Sequence, residues 1–300
     1  RCPLHRALSE FMASILTNLF DGVAYGMLLF VLACGLAVTL GLMNFVNLAH
    51  GAFAMAGGYI CAVLVNNSGW PFFAALPLAF VGSALIGIAL ERTLYRHLYS
   101  RSHLDQVLFS IGLVFMSVAA VDYIMGSSRV FIKLPAALEG QIDLFGVGIG
   151  RYRLMIVVIC GLLTLALQLI LAKTRFGSRL RAAVDDPRAA IGLGINVPQV
   201  FAFTFAFGCG LAGLGGALSA EILGLDPYFP LKFMIYFLIV VTVGGSSSIT
   251  GPFLASLLLG IADVAGKYYV PKVGPFVIYT VMIVILLWRP NGLFGRTAAR

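Results

Sequence analysis

The stretch GLMNFVNLAHGAFAMAGG, residues 41–58, decides how this chain is read. Asn44, Asn47 and His50 recur at every third position, so a helix or tight helical turn would carry all three near one face. Four glycines and four alanines accompany them, and the surroundings on both sides are apolar. Inside hydrocarbon, irregular backbone survives only where protein buries it or where it lines a wet cavity. The stretch is therefore expected to break a helix at membrane depth, with Asn44, Asn47, His50 and Gly51 as candidates to line the path of a polar solute. The plainer alternative is that the two amides bond neighbouring helices while Gly51, Gly57 and Gly58 allow backbones to approach closely.

Working outward, the composition names the solvent. Of 300 residues, 60% are hydrophobic and only 11% charged, and mean hydropathy is +1.00, whereas soluble domains run near a quarter charged. Long apolar runs recur along the whole chain with no polar segment large enough to fold separately, so residues 1–300 read as a single membrane domain. The net charge of +8 could suggest nucleic acid. The basic residues, however, sit in short loops between apolar runs, with no long basic tail or interleaved aromatic platform, so they read as topology signal and no nucleic-acid partner is expected. Five scattered cysteines show no metal or disulfide spacing and read as small apolar packers. The opening RCPLHRALSE leads into an apolar run without a small-residue cleavage site, so no removable signal peptide is expected.

A helix crosses a hydrocarbon core in about 20 mostly apolar residues. Residues 23–40, 72–90, 107–125, 154–172, 200–220 and 276–288 qualify, the last being short. Two further regions, 41–65 and 233–265, combine shorter apolar runs with polar or glycine-rich breaks. The expected fold is thus an all-α integral membrane protein of about eight transmembrane helices, with discontinuous or re-entrant segments. One break in each half points to an internal structural repeat, although the halves share little residue identity. Lys and Arg concentrate in ERTLYRHLYSR (91–101), KTRFGSRLRAAVDDPR (173–188) and the tail after Trp288, which the positive-inside rule assigns to the cytoplasm. The loop between the spans at 107–125 and 154–172 then lies outside, against the rule, since it carries Arg129, Lys133, Arg151 and Arg153.

The second break, GGSSSITGPF (244–253), supplies Gly244, Gly245, Ser246 and Ser247, whose hydroxyls and N–H groups could meet a carboxylate at a half-helix start; a solvated loop is the alternative. In DDPRAAIGLGI (185–195), Asp186 can cap, Pro187 suits a first helical turn and Gly194 can end a short helix. That helix reads as a docking element for another subunit, or as an ordinary linker. GCGLAG (208–213) formally matches a dinucleotide fingerprint but lies inside an apolar span with no preceding strand, so helix packing explains it better. DGVAYG (21–26) likewise reads as a close helix contact. The nearest approach to a phosphate loop, GIADVAGKY (260–268), has the wrong spacing, and no metal, nucleophile-elbow or acid–base constellation is present, so an enzyme is not expected.

With these residues in view, the chain resembles branched-chain amino acid ABC permeases, close to the LivH-like members. GLMNFVNLAHGAFAMAGGYI (41–60), RAAVDDPRAAIGLGINV (181–197), VTVGGSSSITGPFLASLLLGI (241–261) and WRPNGLFG (288–295) occur in the family's order, and the likeness covers residues 11–295. The resemblance implies a multi-pass permease of the bacterial inner membrane without a cofactor. It would work as a heterodimer with a second homologous permease subunit, driven by two ATP-binding subunits and supplied by a periplasmic solute-binding protein. Ala189, Ala190 and Gly194 match the short signature by which ABC importers contact their ATPases, with Arg188 where many carry Glu; the longer signature's ending is absent after Gly194. Arg181, Asp185, Asp186 and Pro187 complete the expected ATPase-coupling loop. The implied solute is an aliphatic amino acid, and urea or short amides are the family's alternative. A stand-alone ion-coupled transporter would want carboxylates at depth, whereas Asp21, Glu221 and Asp263 are expected near span ends.

Overall fold

The computed structural model describes residues 3–43, 45, 47–99, 101–144, 147–245 and 249–294. Asn44, Ser246 and Ser247 lie outside the described residues. Helix α1 (Pro3–Met43) includes the apolar stretch Met12–Leu40, so its apolar run starts well before the expected residue 23. After the first break come α2 (His50–Ala62), which ends in a π-helical turn at Val63–Asn67, then α3 (Phe72–Thr93) and α4 (His103–Met125). The antiparallel hairpin β1 (Gln141–Leu144) and β2 (Val147–Gly150) leads into α5 (Arg151–Lys173). Two short helices follow, α6 (Arg175–Asp185) and α7 (Pro187–Gly192), and then α8 (Val197–Leu223). The chain ends with α9 (Phe229–Gly244), α10 (Thr250–Tyr269) and α11 (Gly274–Trp288).

The hairpin departs from the all-α expectation. Gly140, Gly148 and Gly150 make that loop a poor helix, and pairing Gln141 with Gly150 through Leu144 with Val147 satisfies its backbone instead. Five helices, α1, α3, α4, α5 and α8, are long and apolar enough to cross a membrane. Of these, α8 and the 22–39 part of α1 run through the middle and are mostly buried, whereas α3, α4 and α5 turn most of their length outward. Leu85, Leu108, Phe115, Leu162 and Leu165 are all exposed on those outer helices. In water such an apolar surface would drive aggregation; in a bilayer it is the surface lipid covers.

Lipid tails are as apolar as leucine, so burial does not pull these helices together, and close backbone packing must do so. The central contacts show how. Gly22 and Gly26 of α1 face α10, where an added Cβ would stand 2.7 Å from the Ile261 Cα and 2.7 Å from the Ser256 carbonyl oxygen. Gly208 seats on Gly35, Gly213 on Ser83, and Gly57 on Gly213, so the glycines of GCGLAG bring α8 against α1, α2 and α3. α3 and α8 run antiparallel, Phe80 lying on Gly210 and Cys209 on Gly87. That pairing sets the Arg92 and Arg96 end of α3 beside Pro198 at the start of α8. The arginine-rich loops thereby collect at one end of the bundle, the basic end, and the hairpin lies at the other.

Asp263, expected near a span end, lies six residues before the end of α10 and is 1% exposed, its Oδ2 accepting from Lys267 Nζ at 2.5 Å. The i,i+4 spacing brings the two charges together on one helix face and the half-exposed Lys267 leads out over the Tyr25 ring, which is how a buried carboxylate is tolerated there.

Candidate functional site

At the first break the chain leaves α1 and folds into a turn before α2 begins at His50. Asn47 is 0% exposed, and its Oδ1 accepts two hydrogen bonds, one from the Ala49 backbone N–H at 3.1 Å and one from the Tyr95 hydroxyl at 3.0 Å. The first bond closes an Asx turn that lets the backbone reverse without leaving the ladder unpaired. The second ties the break to the loop after α3. Burial raises the Tyr95 phenol well above the usual tyrosine value, so it stays a hydroxyl donor at neutral pH. Phe45 sits edge-on to both Tyr95 and Tyr99, at 5.6 and 5.3 Å between ring centres.

His50 is 2% exposed and wedged between Gly35 of α1, Gly208 of α8 and the Phe237 ring of α9, 6.4 Å away. Gly51 faces Pro230 at the start of α9, where a Cβ would stand 2.9 Å from the Pro230 Cα. Asn47 Nδ2 and His50 Nε2 are buried without a hydrogen-bond partner among the described residues. The structure thus brings Asn47, His50 and Gly51 into one turn enclosed by protein.

The second break lies at the basic end. Gly245, at φ +87°, ends α9 in a conformation that favours glycine, and its N–H reaches the Val241 carbonyl at 2.9 Å. Gly244 presses against the backbone of Gly251 and Pro252. The tail after α11 folds back over this point, Leu293 N–H donating to the Val243 carbonyl at 2.8 Å and Phe294 N–H to the Gly244 carbonyl at 3.3 Å. Those bonds occupy carbonyls that the end of α9 would otherwise leave bare. On the far side, Ile249 and Thr250 share a cavity of about 390 Å³ with Gln168, Leu171, Leu180 and Arg181.

That cavity joins the break to the α6–α7 segment. α6 buries Leu180 and Ala183, and Gly177 fits against the Leu171 carbonyl where a side chain would clash. Arg181 Nη1 donates to the same Leu171 carbonyl, pinning α6 to the last turns of α5. Asp185 ends α6, and Asp186 Oδ1 then accepts from the N–H groups of Arg188 and Ala189, at 3.0 and 3.1 Å, capping α7 with Pro187 in its first turn. Ala190 is the buried residue of α7, Gly194 at φ +79° turns the chain away, and Arg188 and Ala189 face outward. Ile191 and Leu193 project at 60% and 79% exposure, an apolar knob on an otherwise polar turn. The two breaks contact different neighbours, yet α9 joins them, since Phe237 meets His50 and Gly244 begins the second break.

Sequence reasoning missed three parts of this arrangement. Tyr95 is 48 positions from its partner Asn47, and nothing local links them. The C-terminal tail gave no sign of its return to α9. The turn between α8 and α9 buries Leu225 and Asp226, with Asp226 paired to Lys232 and to Arg129 at 3.7 Å; the GLDPYFP run was its available signal.

Comparison with known proteins converges on one family. The family described as Branched-chain amino acid transport system / permease component matches residues 18–286. The chain is 29% identical to the high-affinity branched-chain amino acid transport system permease protein LivH of Escherichia coli, over 96% of this chain and 98% of that one. It is also 29% identical to BraD of Pseudomonas aeruginosa, a permease protein of a high-affinity system of the same description, over 94% and 96%. The similarity extends to LivM of Salmonella typhimurium, at 25% identity over 90% of this chain and 68% of that one. No solved structure matches. A bundle whose surface is made for lipid, whose interior carries enclosed backbone breaks, and whose sequence matches these permeases along nearly its whole length belongs to the branched-chain amino acid transport system permease component family.

Proposed function

We propose that the chain is one of two related membrane subunits of an ATP-driven importer for aliphatic, branched-chain amino acids in the bacterial inner membrane. The basic end faces the cytoplasm. Two ATPase subunits dock there, a periplasmic binding protein delivers solute at the hairpin end, and the second subunit resembles LivM. α2 with its π turn, α9, α10 and α11 complete the crossings, and the two breaks occupy comparable places in two halves of the chain.

The observation that carries the mechanism is the cavity shared by α6 and the second break. ATPase closure moves the Ile191–Leu193 knob. α7 is capped directly onto α6, and Arg181 ties α6 to α5, so the segment moves as a unit against Ile249 and Thr250. α9 then carries that displacement from Gly244 to Phe237 and His50, two turns or about 10 Å along the helix. Asn44, Asn47, His50 and Gly51 of the first break and Gly244, Gly245, Ser246 and Ser247 of the second are the groups we assign to the solute's charged ends as the path opens to one face of the membrane and then the other.

Reconstitution tests this reading. Labelled leucine should enter proteoliposomes only with the second permease subunit, ATPases, binding protein and ATP. Leu193→Asp should leave the chain's abundance unchanged, reduce ATPase copurification and lower uptake at least tenfold, the effect of about 1.4 kcal/mol in the coupled step. Leucine uptake without ATPases, transport of urea in place of leucine, or undiminished ATPase association in the variant would overturn it.

A further inference from the structure

Away from both breaks, a cavity of about 670 Å³ opens between the end of α3 and the start of α8. Its walls combine two chemistries. Ile88, Ala202 and Phe203 supply an apolar side, and Phe203 is exposed. That side is continuous with the exposed row of Val81, Leu85 and Ile86, the lipid-facing surface of α3. Arg92 and Arg96 supply the other side, both exposed and neither in an ion pair with a described residue. Between them lies Glu91, buried at the cavity wall, with Oε1 accepting from the Tyr99 hydroxyl at 3.2 Å. The cavity is at the basic end of the bundle, where apolar span gives way to arginine-rich loop and lipid headgroups lie.

From this juxtaposition we infer that the groove binds a phospholipid whose headgroup carries both a phosphate and a primary ammonium, such as phosphatidylethanolamine. Arg92 lies in the last turn of α3 and Arg96 in the short 3-10 turn that follows, and since both line the cavity, both guanidiniums can reach one phosphate. A purely anionic headgroup would satisfy them but leave the Glu91 carboxylate facing like charge at close range. An ammonium beside the phosphate answers Glu91, and its N–H groups can donate to the carboxylate. The acyl chains lie along Ile88 and Phe203 toward the row on α3. Specificity comes from Glu91, and most of the affinity from the arginines and the apolar wall.

Native mass spectrometry on the permease purified with the subunits it retains, titrated with lipids of identical acyl chains, tests the assignment. Phosphatidylethanolamine should be held more tightly than phosphatidylglycerol, and more tightly than phosphatidylcholine, whose quaternary ammonium has no N–H to donate. The double variant Arg92→Gln/Arg96→Gln should weaken phosphatidylethanolamine binding by about thirtyfold at low salt, from about one decade or less per surface arginine. Glu91→Gln should erase the preference for phosphatidylethanolamine over phosphatidylglycerol and leave phosphatidylglycerol bound at least as well. The headgroup ranking of the unaltered protein stands as a test even where a variant fails to fold. Equal retention of phosphatidylglycerol and phosphatidylethanolamine by the unaltered protein, indifference to the arginine substitutions, or a groove sealed by a partner subunit that retains no lipid would overturn the inference.

Discussion

Removing the Tyr95 hydroxyl should cost less than removing the Asn47 amide, and the two losses should not add. In Tyr95→Phe, Asn47 Oδ1 loses one donor but keeps the Ala49 N–H. The acceptor stays satisfied, so the cost is that of one interhelical hydrogen bond in a membrane protein, about 0.6 kcal/mol. Asn47→Leu is different in kind. It strands the Tyr95 hydroxyl, buried at 0% exposure among Phe45, Phe109 and Phe205, and it opens the Asx turn. A stranded buried donor costs about 1–3 kcal/mol, and losing the turn adds about 1 kcal/mol more. In the double variant the Tyr95 hydroxyl is no longer there to be stranded, while the loss at the Ala49 N–H is common to it and to Asn47→Leu, so its cost should fall below the sum of the single costs by at least about 1 kcal/mol. Equilibrium unfolding in mixed detergent micelles, read by far-ultraviolet circular dichroism, gives all four corners of the cycle. Strict additivity would refute the reasoning, because it would mean that Tyr95 and Asn47 do not share the bond on which the closed form of the first break rests.

Two more outcomes follow from packing and charge. Gly26→Val should sharply lower the amount of folded permease recovered in detergent, because the new side chain meets the Ser256 carbonyl and the Leu257 Cα at 2.7 and 2.8 Å, and backbone cannot yield as a side-chain tip can; overpacking of this kind costs about 1–3 kcal/mol. Lys267→Met should destabilise more than the double variant Asp263→Asn/Lys267→Met in the same unfolding assay, since only the single variant leaves a buried carboxylate with no cation.

Hydropathy made the membrane bundle legible, because every span had to be apolar over the thickness of the bilayer whatever its neighbours were. The glycines of GCGLAG and DGVAYG were legible for a related reason, since a small residue inside a lipid-exposed sequence has little use except close approach. Burial was harder to read. Asp263 lies in the last two turns of α10, in keeping with its expected place near a span end, yet packing buries its carboxylate and no local pattern announces that. The hairpin was missed because strands of four residues carry too few alternations to show a period. The basic loop that strained the positive-inside reading has a partial structural answer: Arg153 pairs with Asp21, and Arg129 shares Asp226 with Lys232, so two of its four cations meet a carboxylate. Sequence counts charges, whereas pairing depends on which helices meet. The same limit hid Tyr95, whose importance to Asn47 exists only once α3 has brought its following loop beside the end of α1.

The return of residues 293 and 294 to the carbonyls of Val243 and Gly244 bears on how the protein is made. Residues 293 and 294 cannot pair with the end of α9 until α10 and α11, which lie between them in the chain, have been threaded into the bilayer. Before that the carbonyls of Val243 and Gly244 lack these partners, so the end of α9 is completed by the segment that follows α11 and not by its own neighbours in sequence.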